Sequence, residues 1–351
     1  MKHKPVLQFL NLNLLLLFVA CCTVCNAQID TSALSAKFDR AKDKLGKDAV
    51  FILYKDGKTV YKKEMGKFNV KFQQPIGAAS QWLTTALVMT FVQEGKLSLD
   101  DKVSDYLPLF SKHGKGFITI GHCLTHNTGI QNDQGIVKFF QKSKFKTLEE
   151  EVNDYASKKE IDTNPGTEFK YSNMGFNIVG RLLEVMTKKP FDRLVQERLL
   201  RPLAMRNTTF ANEDYNDAVS PSNGARSTPA DYINFLSMLL NKGTFNNKVV
   251  LNESALSTMF SLQQVASKIK NAPKVMEGLN YALGAWVLET NAARKITSLT
   301  SPSLFGTWPI VDVCRGYACI LFTKELSGEQ RKDFIMDIKA TIDATLPANC
   351  N

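Results

Sequence analysis

The chain has 351 residues, 44% hydrophobic and 22% charged. That is ordinary globular composition, long enough for one large or two intimate domains. Its 44 Lys and Arg against 34 Asp and Glu give a formal charge of +10, but the lysines are spread along the chain and not clustered with aromatic residues, so a solvated basic surface is expected and a nucleic-acid site is not.

The first 27 residues read as a signal peptide. Lys2 and Lys4 form a basic start, Leu10 to Val24 an apolar run, and Cys25-Asn26-Ala27 a small-residue cleavage site ahead of Gln28. The apolar run is too short for a membrane span, so a secreted or periplasmic mature chain, 28–351, with no transmembrane span is expected. Val19-Ala20-Cys21 offers lipid attachment at Cys21 as the alternative.

Ser32 to Lys47 carries Leu34, Phe38, Ala41 and Leu45 on one helical face. Ala49–Tyr54 and Thr59–Met65 are β-rich runs joined through Asp56-Gly57, a hairpin signal. Pro75 to Gly95 opens on a tight small-residue turn, Gly77-Ala78-Ala79-Ser80, and from Thr84 reads as a helix with Leu83, Leu87, Val88, Phe91 and Val92 inward. A short helical turn from Leu99 and a helix within Phe117 to Gly129 follow.

Further helices are predicted over Thr147–Lys158, Met174–Thr187, Phe191–Leu200, Thr228–Leu240 and Ser254–Phe260. The third of these runs into Arg201-Pro202, and the fourth has Thr228 as N-cap and Pro229 in its first turn. The tail returns to β character at Ala282–Leu288, Leu304–Val311 and Tyr317–Thr323, before a last helix from Ser327 to about Leu346. This order predicts an α+β fold: one antiparallel sheet built from both chain ends (about 28–75 and 280–351), flanking helices, and a mostly helical region inserted at about 76–279.

Cys123, Cys314, Cys319 and Cys350 remain after processing. Cys314 with Cys319 is a plausible local disulfide, with buried free thiols as the alternative. No zinc spacing is present. His122 and His126 stand i, i+4, but no glutamate follows the first and no third ligand is placed, so no metal is expected. The chain has no G-x-S-x-G elbow, P-loop or dinucleotide fingerprint, and no cofactor is implied.

Several segments nevertheless fall in a recognisable order: IGAASQWLT at 76–84, EGKLSLDDKVSDYLP at 94–108, LTHNTGI at 124–130, NPGTEFKYSN at 164–173, TPADYINFLSMLL at 228–240 and SPSLFGTWPIVD at 301–312. From about Leu45 to Leu346 the chain resembles the serine β-lactamase and penicillin-binding-protein-like family, in the branch of class C β-lactamases, D-alanyl-D-alanine carboxypeptidases and esterases.

The resemblance implies a β-lactamase/transpeptidase-like fold and acyl-transfer chemistry. In that family an S-x-x-K serine attacks a carbonyl, the lysine helps remove its proton, and the tyrosine of a Y-x-N motif relays protons to the leaving group. Laid on the family pattern without a gap, Ala78 falls at the nucleophile's place and Gln81 at the lysine's. Tyr171 and Asn173 retain the second motif. The third corresponds to Ser301, Ser303, Phe305 and Gly306, which would line the substrate pocket. Ser80 is an alternative nucleophile only in a frame that puts Leu83 in the lysine's place. The expected protein is therefore an exported serine-hydrolase homologue without turnover, keeping a pocket for a small-molecule or peptide ligand. The alternatives are a weak hydrolase of β-lactams, D-Ala peptides or esters, using Ser80 or a Tyr171-assisted water, and a structural scaffold.

Overall fold

The computed structural model describes residues 29–132, 143–211, 218–324 and 329–350. The predicted signal peptide at 1–27, Cys21 within it, and Ser327 lie outside these residues. Helix α1 (Thr31–Arg40) starts at Asp30, whose carboxylate accepts the Ala33 N–H. Strands β1 (Ala49–Lys55) and β2 (Lys58–Met65) form the predicted hairpin, with Asp56 and Gly57 both at positive φ as its tight turn requires.

A two-residue strand β3 (Gln74–Pro75) and a 3-10 turn at Gly77–Ala79 lead into α2 (Ser80–Val92). The inserted region continues through α3 (Val103–Tyr106), α4 (Leu109–Lys112), α5 (Ile120–Leu124), α6 (Leu148–Lys158), β4 (Phe169–Lys170) and α7 (Met174–Thr187). Next come α8 (Phe191–Val195), extended by a π-helical turn over Gln196–Leu200, then β5 (Arg226–Ser227) and α9 (Pro229–Leu240). Strands β6 (Thr244–Phe245) and β7 (Lys248–Val249), helix α10 (Glu253–Met259) and β8 (Ile269–Asn271) complete it. The tail supplies β9 (Asn280–Tyr281), β10 (Trp286–Thr290), β11 (Ile296–Thr300), β12 (Thr307–Asp312), β13 (Tyr317–Thr323) and α11 (Glu329–Asp343).

Both chain ends meet in one seven-stranded antiparallel sheet, ordered β2-β1-β13-β12-β11-β10-β9. Its central strands are apolar on both faces. Along β1, Val50 and Ile52 enter the core under the helical region, while Ala49, Phe51 and Leu53 enter a second core with α1 and α11. Along β13, Ala318, Ile320 and Phe322 face the first core, and Tyr317, Cys319 and Leu321 the second. The period-2 alternation of a strand thus divides one apolar run between two cores.

Several boundaries differ from the sequence expectation. Helix α1 ends at Arg40, not Lys47, and the chain turns through Gly46 and Lys47, both at positive φ. Helix α2 begins at Ser80, and every residue from Ser80 to Phe91 is buried, so it has no solvent face. The expected strand at Ala282–Leu288 is a turn at Gly284, with β10 starting only at Trp286. Residues 301–306 are a turn and not strand. The Ser303 N–H donates to the Thr307 carbonyl, Ser303 Oγ accepts the Phe305 N–H, and Gly306 sits at φ +87. Strand β11 was not anticipated; all five of its residues are buried, which erases the alternation that would have marked it.

The disulfide also differs. Cys314 pairs with Cys350, while Cys123 and Cys319 are buried free thiols. Cys319 is fixed within β13, opposite Leu53 and Ile310, with its side chain in the second core. Cys314 lies in the turn beyond β12, where the tail reaches it and the Asn349 N–H donates to its carbonyl. Peptide mapping without reductant is expected to recover Cys314 linked to Cys350. Because the bridge spans 36 residues, Cys350→Ser should lower the unfolding free energy measured in urea by about 2–4 kcal/mol.

Candidate functional site

The entrance to α2 is held by its neighbours. Strand β3 pairs with β5, and the Ile76 N–H donates to the Ala225 carbonyl. Gly77 adopts φ +47, and a Cβ there would fall on the Ser303 hydroxyl and the Phe305 ring. Only glycine lets the 301–306 turn close over the helix start at this distance. The Tyr232 hydroxyl donates to the Ala79 carbonyl at 2.9 Å, and Ser301 Oγ lies 3.5 Å from the Ala78 carbonyl.

Along this entrance the side chains point to different tasks. Ala78 is half-buried and presents a methyl group, with no atom able to attack a carbonyl. Ser80 is fully buried, and its Oγ accepts the Ala225 N–H at 3.1 Å. It ties the helix start to the strand behind it. Gln81 is 1% exposed. Its carboxamide lies near enough to the Tyr171 phenol to favour the ionised form, while its Nε2 meets no acceptor at hydrogen-bond geometry among the described residues.

Tyr171 is positioned by β4, which pairs in parallel with β8, and by its own N–H donating to the Asn271 carbonyl. Its ring sits among aromatic neighbours, 4.4 Å from the His126 ring and 5.7 Å from that of Trp286. Burial raises the phenol's pKa, and Gln81 opposes this only in part; no cation contributes. The phenol therefore stays protonated near neutral pH and can donate a hydrogen bond, but it is not a base.

Beneath it, His126 Nδ1 accepts the Ser172 N–H, which puts the ring proton on Nε2, 3.0 Å from the Tyr281 hydroxyl. Burial pushes the His126 pKa down to about 3. Asn173 opens α7 without capping it, and its buried Oδ1 has no partner among the described residues.

The structure thus brings Ala78, Gln81 and Tyr171 together with Ser301, Ser303, Phe305 and Gly306, and directs Ser80 away from them. The sequence reading weighed His126 only as a metal ligand and did not single out Tyr281 or Trp286; these three rings frame Tyr171. LTHNTGI held a usable signal for His126; Tyr281 and Trp286 left none. Among the described residues, Glu289, Asp312 and Asp343 group closely enough to suggest a metal ion. Lys339 Nζ occupies that place, 2.6 Å from Glu289 and Asp343 and 3.2 Å from Asp312. The cluster is an ion-pair network that joins α11 to the sheet.

Residues 38–339 match the family model described as Beta-lactamase, and the chain belongs to that family. It is 27% identical over 181 residues to protein flp of Staphylococcus aureus (strain MW2), covering 48% of this chain and 35% of that protein. It is 26% identical over 187 residues to a candidate D-alanyl-D-alanine carboxypeptidase of Escherichia coli (strain K12), covering 45% of this chain and 42% of that one. The chain spans well under half the length of these curated relatives. Among solved structures, a candidate beta-lactamase from Bacteroides dorei DSM 17855 is 26% identical with a TM-score of 0.75, over 86% of this chain and 92% of that chain. A penicillin-binding protein homologue from Pyrococcus abyssi shares the fold at 17% identity and a TM-score of 0.71, over 89% and 77%.

Two expectations follow from the site's hydrogen bonds. Ser80→Ala leaves the buried Ala225 N–H without an acceptor and should lower the unfolding free energy by about 1–2 kcal/mol in a urea titration. His126 must be neutral in the folded state, whereas in the unfolded chain it titrates near its ordinary value of about 6.5. Its contribution to stability is therefore complete above pH 6.5 and is lost as the pH falls towards 3. Denaturation from pH 7 to 5 should show up to about 1.4 kcal/mol lost per pH unit below 6.5 from this group, and His126→Asn should remove that part of the slope.

Proposed function

We propose that this member of the β-lactamase family is an exported, non-catalytic homologue of the serine hydrolases, which uses the acyl-transfer site to bind and not to turn over a ligand. One observation carries this: a methyl group, Ala78, stands at the entrance to α2 where the family's motif register has the nucleophile, and one helical turn on Gln81 stands in the lysine's place. Neither side chain can attack or take a proton. In a coupled nucleophile and base pair, losing one member costs turnover roughly a factor of a million and losing the second costs little more. The two substitutions are then parts of one functional loss.

The alternative hydrolase has less support. Ser80 spends its oxygen on the Ala225 N–H and is fully buried. A water activated by Tyr171 would need a phenolate, which burial disfavours. A purely structural scaffold fits less well with the unpartnered polar atoms kept at Gln81 and Asn173. Export rests on the segment ahead of Gln28, with a lipid anchor at Cys21 as its variant, and the ligand is a small molecule or a peptide.

The test is covalent labelling of the mature chain with a fluorescent β-lactam and a fluorophosphonate, read by the mass of the peptide holding residues 76–92. That peptide is expected to keep its unmodified mass, and the double variant Ala78→Ser with Gln81→Lys to acquire label on residue 78. An adduct on Ser80, or turnover of a chromogenic β-lactam abolished by Ser80→Ala, would overturn the proposal.

A further inference from the structure

The excess charge of this chain is not evenly distributed, contrary to what the spread of its lysines suggests. Residues 37–71 hold 11 Lys and Arg against 5 Asp and Glu, a net +6 out of the chain's +10. This segment builds the end of α1, the β1–β2 hairpin and most of the link to β3.

Most of its acids already have partners. Asp39 pairs with Lys63, Asp56 with Lys55 and Glu64 with Lys62. Asp48 accepts the Lys67 N–H at 2.6 Å and lies 3.8 Å from Lys324 Nζ. Arg40, Lys42, Lys44, Lys47, Lys67 and Lys71 are all exposed. None of their charged groups meets a carboxylate among the described residues.

The fold gathers these cations at one corner. The Lys47 N–H donates to the Lys42 carbonyl at 3.0 Å, which folds the chain beyond α1 into a tight turn. Gly66 sits against that turn, where a Cβ would fall 2.5 Å from the Lys47 carbonyl oxygen, so Lys67 adjoins it. Lys71 precedes Phe72, whose ring is 37% exposed and stacks on Phe68 with centroids 3.9 Å apart. Like charges gathered without counter-charges repel one another in the compact state, and an anionic partner relieves that repulsion.

The side chains say which kind of anion. Five of the six are lysines, flexible point charges, whereas recognition of a single phosphate or carboxylate favours the planar arginine fork. A single nucleic-acid strand needs several stacking platforms, and Phe72 is the one exposed ring among residues 37–72. Lys58, Lys62 and Lys63 stand along β2, the edge of the sheet, and discourage pairing with a partner's strand. Diffuse lysines beside one apolar ring fit a surface of many monovalent headgroups.

We propose that this corner, formed by the end of α1 and the open end of the β1–β2 hairpin, docks the protein on an anionic phospholipid membrane, with Phe72 entering the headgroup layer. The α2 entrance takes no part, so the proposal stands or falls independently of the non-catalytic reading.

The test is flotation of the chain from Gln28 with vesicles of phosphatidylcholine, alone or mixed with phosphatidylglycerol. At about 50 mM salt, binding to the anionic vesicles should be at least about tenfold stronger than to the neutral ones, and about 500 mM salt should abolish it. Lys42→Gln, Lys44→Gln, Lys47→Gln and Lys67→Gln together should weaken it by at least about tenfold. Lys112→Gln, Lys146→Gln, Lys248→Gln and Lys268→Gln together remove the same charge from exposed positions elsewhere. That control should cost less than about twofold, because charges far from the contact are screened. Phe72→Ala should weaken binding to vesicles and leave binding to heparin, a soluble polyanion, unchanged.

Equal binding to both vesicles, or equal losses in the two quadruple variants, overturns the proposal. So does Phe72→Ala without effect on vesicle binding, which would make the partner a soluble polyanion. Should a variant fail to fold, the wild-type comparison of the two vesicles and its salt dependence still decide.

Discussion

Helix α2 is buried on every side, and that constrains all that can happen at its entrance. A helix without a polar face cannot rotate or slide without exposing apolar surface, at roughly 25 cal/mol per Å². Its start is further fixed by the Ile76 and Ala225 backbone pair, by the hydroxyls of Tyr232 and Ser80, and by the 301–306 turn that closes on Gly77. The coordinates of positions 78 and 81 are therefore set by the core and not by the side chains that occupy them. This is why the site's architecture survives an alanine and a glutamine. Alanine leaves no polar atom to satisfy, and glutamine carries no charge, which would be costly to bury unpaired.

The electrostatics follow from the same burial. The chain carries a formal charge of +10, yet the Tyr171 ring itself lies among aromatic rings. The aromatic rings that frame it hold the phenol protonated and the imidazole uncharged. A buried ion-pair network lies elsewhere, where Lys339 and Arg315 meet Glu289, Asp312 and Asp343. That network looks like a metal site from its carboxylates alone and is closed by its own lysine. The carboxylates of that cluster are thus met by cations, whereas Gln81 Nε2 and Asn173 Oδ1 have no partner among the described residues.

The elements legible in the sequence are those whose signals are local. The Asp56-Gly57 hairpin, the Thr228 cap with Pro229, and the whole of α7 fall where turn chemistry and 3.6-residue periodicity put them. The joining of both chain ends in one sheet was likewise readable from element order. What was not legible depends on tertiary contacts. Strand β11 is buried on both faces and shows no alternation. The 301–306 turn has strand-like neighbours, and its hydrogen bonds are visible only once Ser303 is seen to close on Thr307. The Cys314 partner was missed because spacing favours the near cysteine, whereas the strand holds Cys319 in the core. At the site, motif order directed attention to Ala78, Gln81 and Tyr171 but could not say where Ser80 points; its bond to Ala225 is a contact across 145 residues. The aromatic frame of Tyr281 and Trp286 comes from strands with no motif at all.

The polar atoms left over at Gln81 and Asn173 bear on whether the fold is a scaffold or a receptor. Trp82 and Trp308 also bury indole N–H groups without partners among the described residues, and each incurs a cost of the same order. Those are donors alone on large side chains that earn their place by packing. Gln81 has no such justification, because a methionine or leucine would fill its volume and leave no donor stranded. A chain selected only for stability has a simple improvement available at that position. Stability forgone at a site in exchange for affinity is the ordinary physical mark of a binding function.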